Sequence, residues 1–145
     1  MFTNPSEART YTLAGKAKVT LTSKVTGKHL TYKVSQAQDR ETRQPQNRWF
    51  VALLTGPDNE NDFTYLGMIN GGHQFGLTKA SKFAADSTPV RAFAYFWRHL
   101  TERGVIPNDL EVRHNNSCGR CGRELTTPDS IDSGLGPICR AEMGL

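Results

Sequence analysis

Apolar and polar residues alternate most clearly between Lys16 and Ser35, where Val19 and Leu21 face one way on a first run and Leu30, Tyr32 and Val34 on a second. A period of two marks a half-buried strand, and Thr26-Gly27 between the runs supplies a hairpin turn. Lys18, Thr20, Thr22, Thr31 and Lys33 fall on the opposite face, a polar and basic surface that should meet water or a partner. Residues 36–48 are polar, charged and interrupted by Pro45, which predicts a long loop. Trp49 to Leu54 is apolar on both faces and reads as a central buried strand. Two more strands are expected, at Phe63 to Ile69 and near Phe75 to Leu77, bounded by turns rich in Gly, Asn and Asp.

A single long helix is predicted from Ser87-Thr88-Pro89 to Gly104, with Val90, Phe93, Ala94, Trp97 and Leu100 recurring at helical spacing on the face that packs on the sheet. Tyr95 and Phe96 widen that apolar surface. Leu110 to Val112 is strand-like and runs directly into His114, while residues 1–14 show no sustained period and suggest a mobile arm or an edge segment. The expected fold class is α+β: an antiparallel sheet of four or five strands packed on one helix. Its divisions would be an arm at 1–15, the α+β domain at 16–110 and a small module at 111–145.

Composition changes this picture in one respect. The net charge of the 145 residues is only +4, but residues 1–50 hold nine Lys and Arg against three acids, residues 51–104 five against five, and residues 105–145 four against six. Positive charge gathered on one element can steer anions, nucleic acid included, even where the overall charge is modest. Lys16, Lys18, Lys24, Lys28, Lys33, Arg40, Arg43 and Arg48 lie on or beside the hairpin. No apolar run is long enough for a membrane span and no signal peptide precedes the hairpin, so no membrane partner and a cytoplasmic location are expected.

The candidate chemistry lies near the end of the chain, where His114, Cys118, Cys121 and Cys139 are separated by three, two and seventeen residues. Three thiols cannot pair completely as disulfides, whereas a Cys-x-x-Cys pair with a distant third thiol and a histidine is a Cys3His zinc site by spacing. Gly122 follows the second thiol where positive φ would turn backbone N–H groups toward the sulfurs. Thr127-Pro128 reads as a cap and first position for a helical turn ending near Gly134. Pro137 would open a last helix with Cys139 in its first turn, where the helix dipole should lower the thiol pKa. Leu125, Ile131, Leu135, Ile138 and Met143 are too few to enclose a core, so a metal staple is physically reasonable. Asp129, Asp132 or a water compete with His114 for the fourth position. The expected site is a treble-clef-like zinc knuckle from which Arg120 and Arg123 project toward phosphates.

Known catalytic patterns are missing. There is no Walker loop, nucleophile elbow or His-Glu-x-x-His run, and the acidic turn "DNEND" lacks the ligand pattern of a calcium loop. Zinc deaminases need a Glu two residues after the first ligand, and Asn116 stands there. His29, His73 and His99 are isolated. Closed Cys3His coordination would make the protein a binder rather than an enzyme, one that holds nucleic acid through its basic hairpin, with tyrosine or tryptophan available to stack a base.

The run Cys118-Gly-Arg-Cys121-Gly-Arg-Glu-Leu125, then Pro128, Ser130 and Gly134-Leu-Gly136-Pro137-Ile-Cys139, resembles a zinc-binding domain of unknown function found in bacteriophages, prophages and plasmids. In that family a histidine commonly stands four positions before the first cysteine, as His114 does. A tryptophan often precedes that histidine, and Arg113 replaces it here. The stretches "LTSKVTGKHLTYKV", "WFVALLTGPDNENDFTYLG" and "AFAYFW" extend the resemblance from about Lys16 onward. It implies an origin in a mobile element and an intracellular location. On that basis the alternative is a counter-defence protein that inhibits a host nucleoprotein complex, such as a CRISPR effector, or sequesters a nucleotide signal.

Overall fold

The computed structural model describes residues 1–145. Strands β1 (Lys16–Ser23), β2 (His29–Gln38), β3 (Pro45–Leu54), β4 (Phe63–Asn70), β5 (Gln74–Gly76) and β6 (Leu110–His114) form one antiparallel sheet in the order β5-β4-β3-β2-β1-β6. The helices are α1 (Pro5–Thr12), α2 (Thr88–Arg98), α3 (Pro128–Ser133) and α4 (Pro137–Glu142). A π-helical turn, His99–Arg103, continues α2 to Gly104, which stops it in the left-handed conformation. The fold is α+β as expected, with six strands rather than four or five and with α1, α3 and α4 beside the anticipated helix. No helix is long and apolar enough to cross a membrane.

The hairpin follows its alternation. Val19, Leu21, Tyr32 and Val34 are buried, whereas Lys18, Thr20, Thr31 and Lys33 line the opposite, partly exposed face. The long loop at 36–48 is replaced by a short turn, because β2 runs on to Gln38, which pairs with Pro45 at the start of β3. Proline is tolerated there, at the first residue of a strand. Strand β3 is central in the sheet but covered on one side only: Trp49, Val51 and Leu53 are buried, and Phe50 is 41% exposed on the other face.

On α2 the buried face is Val90, Phe93, Phe96, Trp97 and, one turn on, Leu100; Ala94, expected inside, is exposed. The seam is rotated toward Phe96, whose large ring excludes more water than a methyl group. Phe93 sits at its centre, with Tyr32, Phe75 and Phe96 rings 4.9–5.8 Å away.

The first residues are the largest departure from the sequence reading. In place of an arm, Asn4 caps α1 by accepting from the Glu7 N–H, Pro5 opens the helix, and Phe2, Ala8 and Tyr11 enter the core. Helix α1 spans only two turns, too short for a periodic signal to register. It completes the edge of β1. The β1–β6 ladder ends at Val19 and His114; beyond it the Tyr11 hydroxyl donates to the Lys18 carbonyl and accepts from the Lys18 N–H, both at 3.0 Å. The next free amide along that edge, Lys16 N–H, donates to the Gly119 carbonyl at 2.6 Å. These bonds set the C-terminal module against the sheet.

Candidate functional site

Residues 115–145 fold around a small cluster in which Cys118, Leu125, Leu135 and Cys139 are buried together with Ala14 from the end of the α1 segment. Gly122 takes φ +81°, and its N–H donates to the Cys118 carbonyl at 2.8 Å, closing the Cys118–Cys121 turn as its position suggested. The Cys118 N–H donates in turn to the Arg123 carbonyl at 2.7 Å. Thr127 caps α3 and Gly134 ends it at φ +75°; Gly136 and Pro137 open α4, with Cys139 in its first turn. The sulfurs of Cys118, Cys121 and Cys139 thereby lie within 4.8 Å of one another, close enough to hold one metal ion. Cys118 and Cys139 are buried and Cys121 is exposed.

The surroundings treat the thiols unequally. Burial pushes Cys118 up, but N–H groups of Gly136, Cys121 and Arg120 and the Cys121 thiol outweigh it, so Cys118 ionises below its ordinary range. Cys139 is shifted the other way, by burial first and then by the neighbouring sulfurs. The helix-dipole expectation for Cys139 is therefore corrected: desolvation and a nearby thiolate overcome one short helix end. A shared cation would remove that like-charge penalty, so the donor set suits a thiophilic metal.

His114 stands outside the thiol cluster. Its Nε2 is hydrogen-bonded to the Ile131 carbonyl, and its Nδ1 accepts from the Asn116 N–H at 2.9 Å. Asn116 reaches this position by adopting φ +64°. The ring packs 5.5 Å from Phe2 and 5.6 Å from Tyr11, so His114 acts here as a packing and hydrogen-bonding residue joining α1 to α3. Asp129 and Asp132 are exposed and also lie outside the thiol group.

The basic residues are divided among several places. Lys16, Lys18, Lys33 and Arg48 belong to the open face of the sheet. Lys24 and Lys28 are at the hairpin tip, and Lys24, eight residues after Lys16 and just past the end of β1, is roughly 26 Å from it. Arg40 and Arg43 are exposed in the β2–β3 turn. On the knuckle, Arg120 is engaged by Glu142, whereas Arg123 is exposed beside the thiols.

Where the open face meets the knuckle lies a cleft of about 420 Å3 with no apolar lining residue. Lys16, Lys18 and Lys33 form one side, and Asn115, Ser117 and Gly122 contribute from the knuckle. Lys18 is already paired, at 3.3 Å from Glu60 and 3.0 Å from the Asn59 carbonyl of the β3–β4 loop. Lys18 and Lys33 also stand over the Phe63 ring, at 5.8 and 5.7 Å.

A family of unknown function, DUF6011, matches residues 109–144. The match begins at the strand that leads into His114 and takes in all three thiols, a narrower span than the resemblance read from Lys16 onward. No curated protein matches the chain, and no solved structure does.

Several surface groups were not singled out in the sequence. Both tryptophans proposed for base stacking are inside, Trp49 donating to the Leu13 carbonyl and Trp97 to the His73 carbonyl, each at 3.0 Å. The rings left on the open face are Phe50, Tyr65 and Phe63, the last of them already beside Lys18 and Lys33. Their signal was the alternation of β3 and β4, obscured at Phe50 by apolar neighbours on both sides. A second groove, about 840 Å3, runs beside α2 and holds Arg91, Arg98 and Arg103. The seven-residue spacing that puts Arg91 and Arg98 on one helical face was present in the sequence, but acids elsewhere in the same segment masked it in the charge count; Arg103, five residues on in the π-helical turn, does not follow that spacing.

Proposed function

We propose that the protein is a non-catalytic, zinc-stapled nucleic-acid-binding protein that holds phosphates in the cleft between sheet and knuckle. The observation carrying this reading is the cleft's lining: three lysines against one carboxylate, Glu60, the rest being neutral polar groups and glycines with no apolar side chain. Lysine ammonium groups converging on a polar concavity suit phosphate oxygens, and each phosphate neutralised releases a counterion. Zinc is the ion that three thiolates of Cys-x-x-Cys spacing favour, and its role here is to hold the knuckle wall of the cleft. When bound, it would supply folding energy of about 10–16 kcal/mol, as structural zinc does in peptides.

Salt-dependent binding tests the reading. Wild-type protein should bind mixed-sequence nucleic acid at low salt and lose affinity steeply as salt rises, and a Lys16→Glu/Lys33→Glu variant should bind at least tenfold more weakly with a shallower salt slope. Absence of binding at low salt would refute it and would move attention to a protein partner, as in the counter-defence alternative.

A further inference from the structure

The cleft accounts for phosphates but not for the rings beside it. Phe50 projects from β3 into solvent, 41% exposed, and meets Tyr65 of β4 edge to face, with centroids 6.2 Å apart at 69°. The register places these rings with respect to the lysines. Lys16 is opposite Ser35, and Ser35 is opposite Phe50; in the adjacent row Lys18, Lys33, Ala52 and Tyr65 follow one another across four strands. Each row thus begins at a lysine of the cleft and ends at an aromatic ring, about 10 Å away in the first row and about 14 Å in the second. Arg48, exposed two residues before Phe50 on the same face, adds a cation at the ring end.

We infer that the open face of the sheet binds single-stranded nucleic acid, with phosphates on Lys16, Lys18 and Lys33 and bases stacked on Phe50 and Tyr65. This rests on the nucleic-acid reading above and adds the strand state. A duplex keeps its bases paired and stacked inside, so it offers a flat sheet only its phosphates. A single strand offers both phosphates and free base faces, and stacking tolerates any sequence because every base has a π-face. Phe50 is suited to this role: a large ring held outward on a central strand, where the adjoining positions Trp49 and Val51 are buried.

Fluorescence anisotropy with labelled oligothymidylate and oligouridylate of about 12 nucleotides, and with a duplex of equal length, tests the inference. Wild-type protein should prefer a single strand over the duplex by about tenfold or more, and the two homopolymers show whether DNA or RNA is favoured. Phe50→Ala and Tyr65→Ala should each weaken single-strand binding about tenfold while leaving duplex binding and the salt slope unchanged, and Tyr65→Phe should bind as wild type. Phe50 is exposed and Tyr65 is half-buried with its hydroxyl bonded to Thr78, and an unchanged thermal midpoint would establish that the variants fold. Equal affinity for single strand and duplex, or wild-type binding by both alanine variants, would overturn the inference and leave the lysine cleft as a phosphate site. Failure of every probe to bind at low salt would overturn both.

Discussion

At the scale of single residues, His114 and the glycines around Tyr11 make the sharpest predictions. Because both His114 nitrogens are engaged away from the sulfurs, His114→Ala should retain about one metal ion per chain by elemental analysis, zinc in the reading proposed above, whereas Cys118→Ser should lose it. Loss of zinc from His114→Ala with its fold intact would return the imidazole to the metal. Burial lowers the His114 pKa, the N-terminal ammonium adds to that, and the Ile131 carbonyl and Asp132 oppose it. The unfolded chain therefore takes up a proton that the folded chain resists. Stability from this group should be complete above about pH 6.5 and decline as pH falls through the window down to the depressed folded value. Thermal denaturation across that range should show a smaller acid loss in His114→Gln. A second contrast concerns backbone approach. A Cβ at Gly134 would lie 2.5 Å from the Tyr11 ring, and φ is +75°; Gly27 has the same φ with open space around it. Gly134→Ala should cost about 2–5 kcal/mol, from strain and overpacking together, and Gly27→Ala about 1–2 kcal/mol from strain alone, as read by chemical denaturation.

Among elements, α1 shows most clearly what a sequence can and cannot reveal. The hairpin was legible because its alternation and its Thr26-Gly27 turn agree; α2 was legible because its cap, its seam and Gly104 agree. Helix α1 has a buried tyrosine and one alanine in a mostly polar string, and its burial depends on β6 and the knuckle, about a hundred residues later. No local window holds that information. The thiol cluster was legible from spacing, since ligand geometry is set by the short turns around it, but the fourth donor was not, because His114 is positioned by ring packing against Phe2 and Tyr11. The same packing predicts the effect of removing one hydroxyl. Tyr11→Phe takes both partners from the Lys18 backbone at the point where β6 ends, and should destabilise the protein by about 1–3 kcal/mol in chemical denaturation while leaving the metal content unchanged.

The whole molecule contains a core of nineteen buried residues and a separate cluster of five around the thiols. Chelation should therefore release amide protection in residues 115–145 first, while strands β1 to β4 stay protected in hydrogen exchange; simultaneous loss everywhere would show that the small cluster is not independent of the sheet. The charge layout gives another prediction. Glu60 occupies Lys18 from a loop and is itself 79% exposed, so in the proposed reading it would compete with an incoming phosphate at little conformational cost. Glu60→Gln should strengthen nucleic-acid binding several-fold at low salt, and a weaker or unchanged affinity would place the phosphates away from Lys18. The bond from the Phe2 N–H to the Val112 carbonyl, 2.7 Å long, joins residues 110 positions apart in the chain. During synthesis the first turn of helix must therefore wait, with its aromatic side chains unsheltered, until more than a hundred further residues have left the ribosome. For several seconds of every copy's life at ordinary elongation rates, Phe2 and Tyr11 are exposed to whatever binds nascent chains.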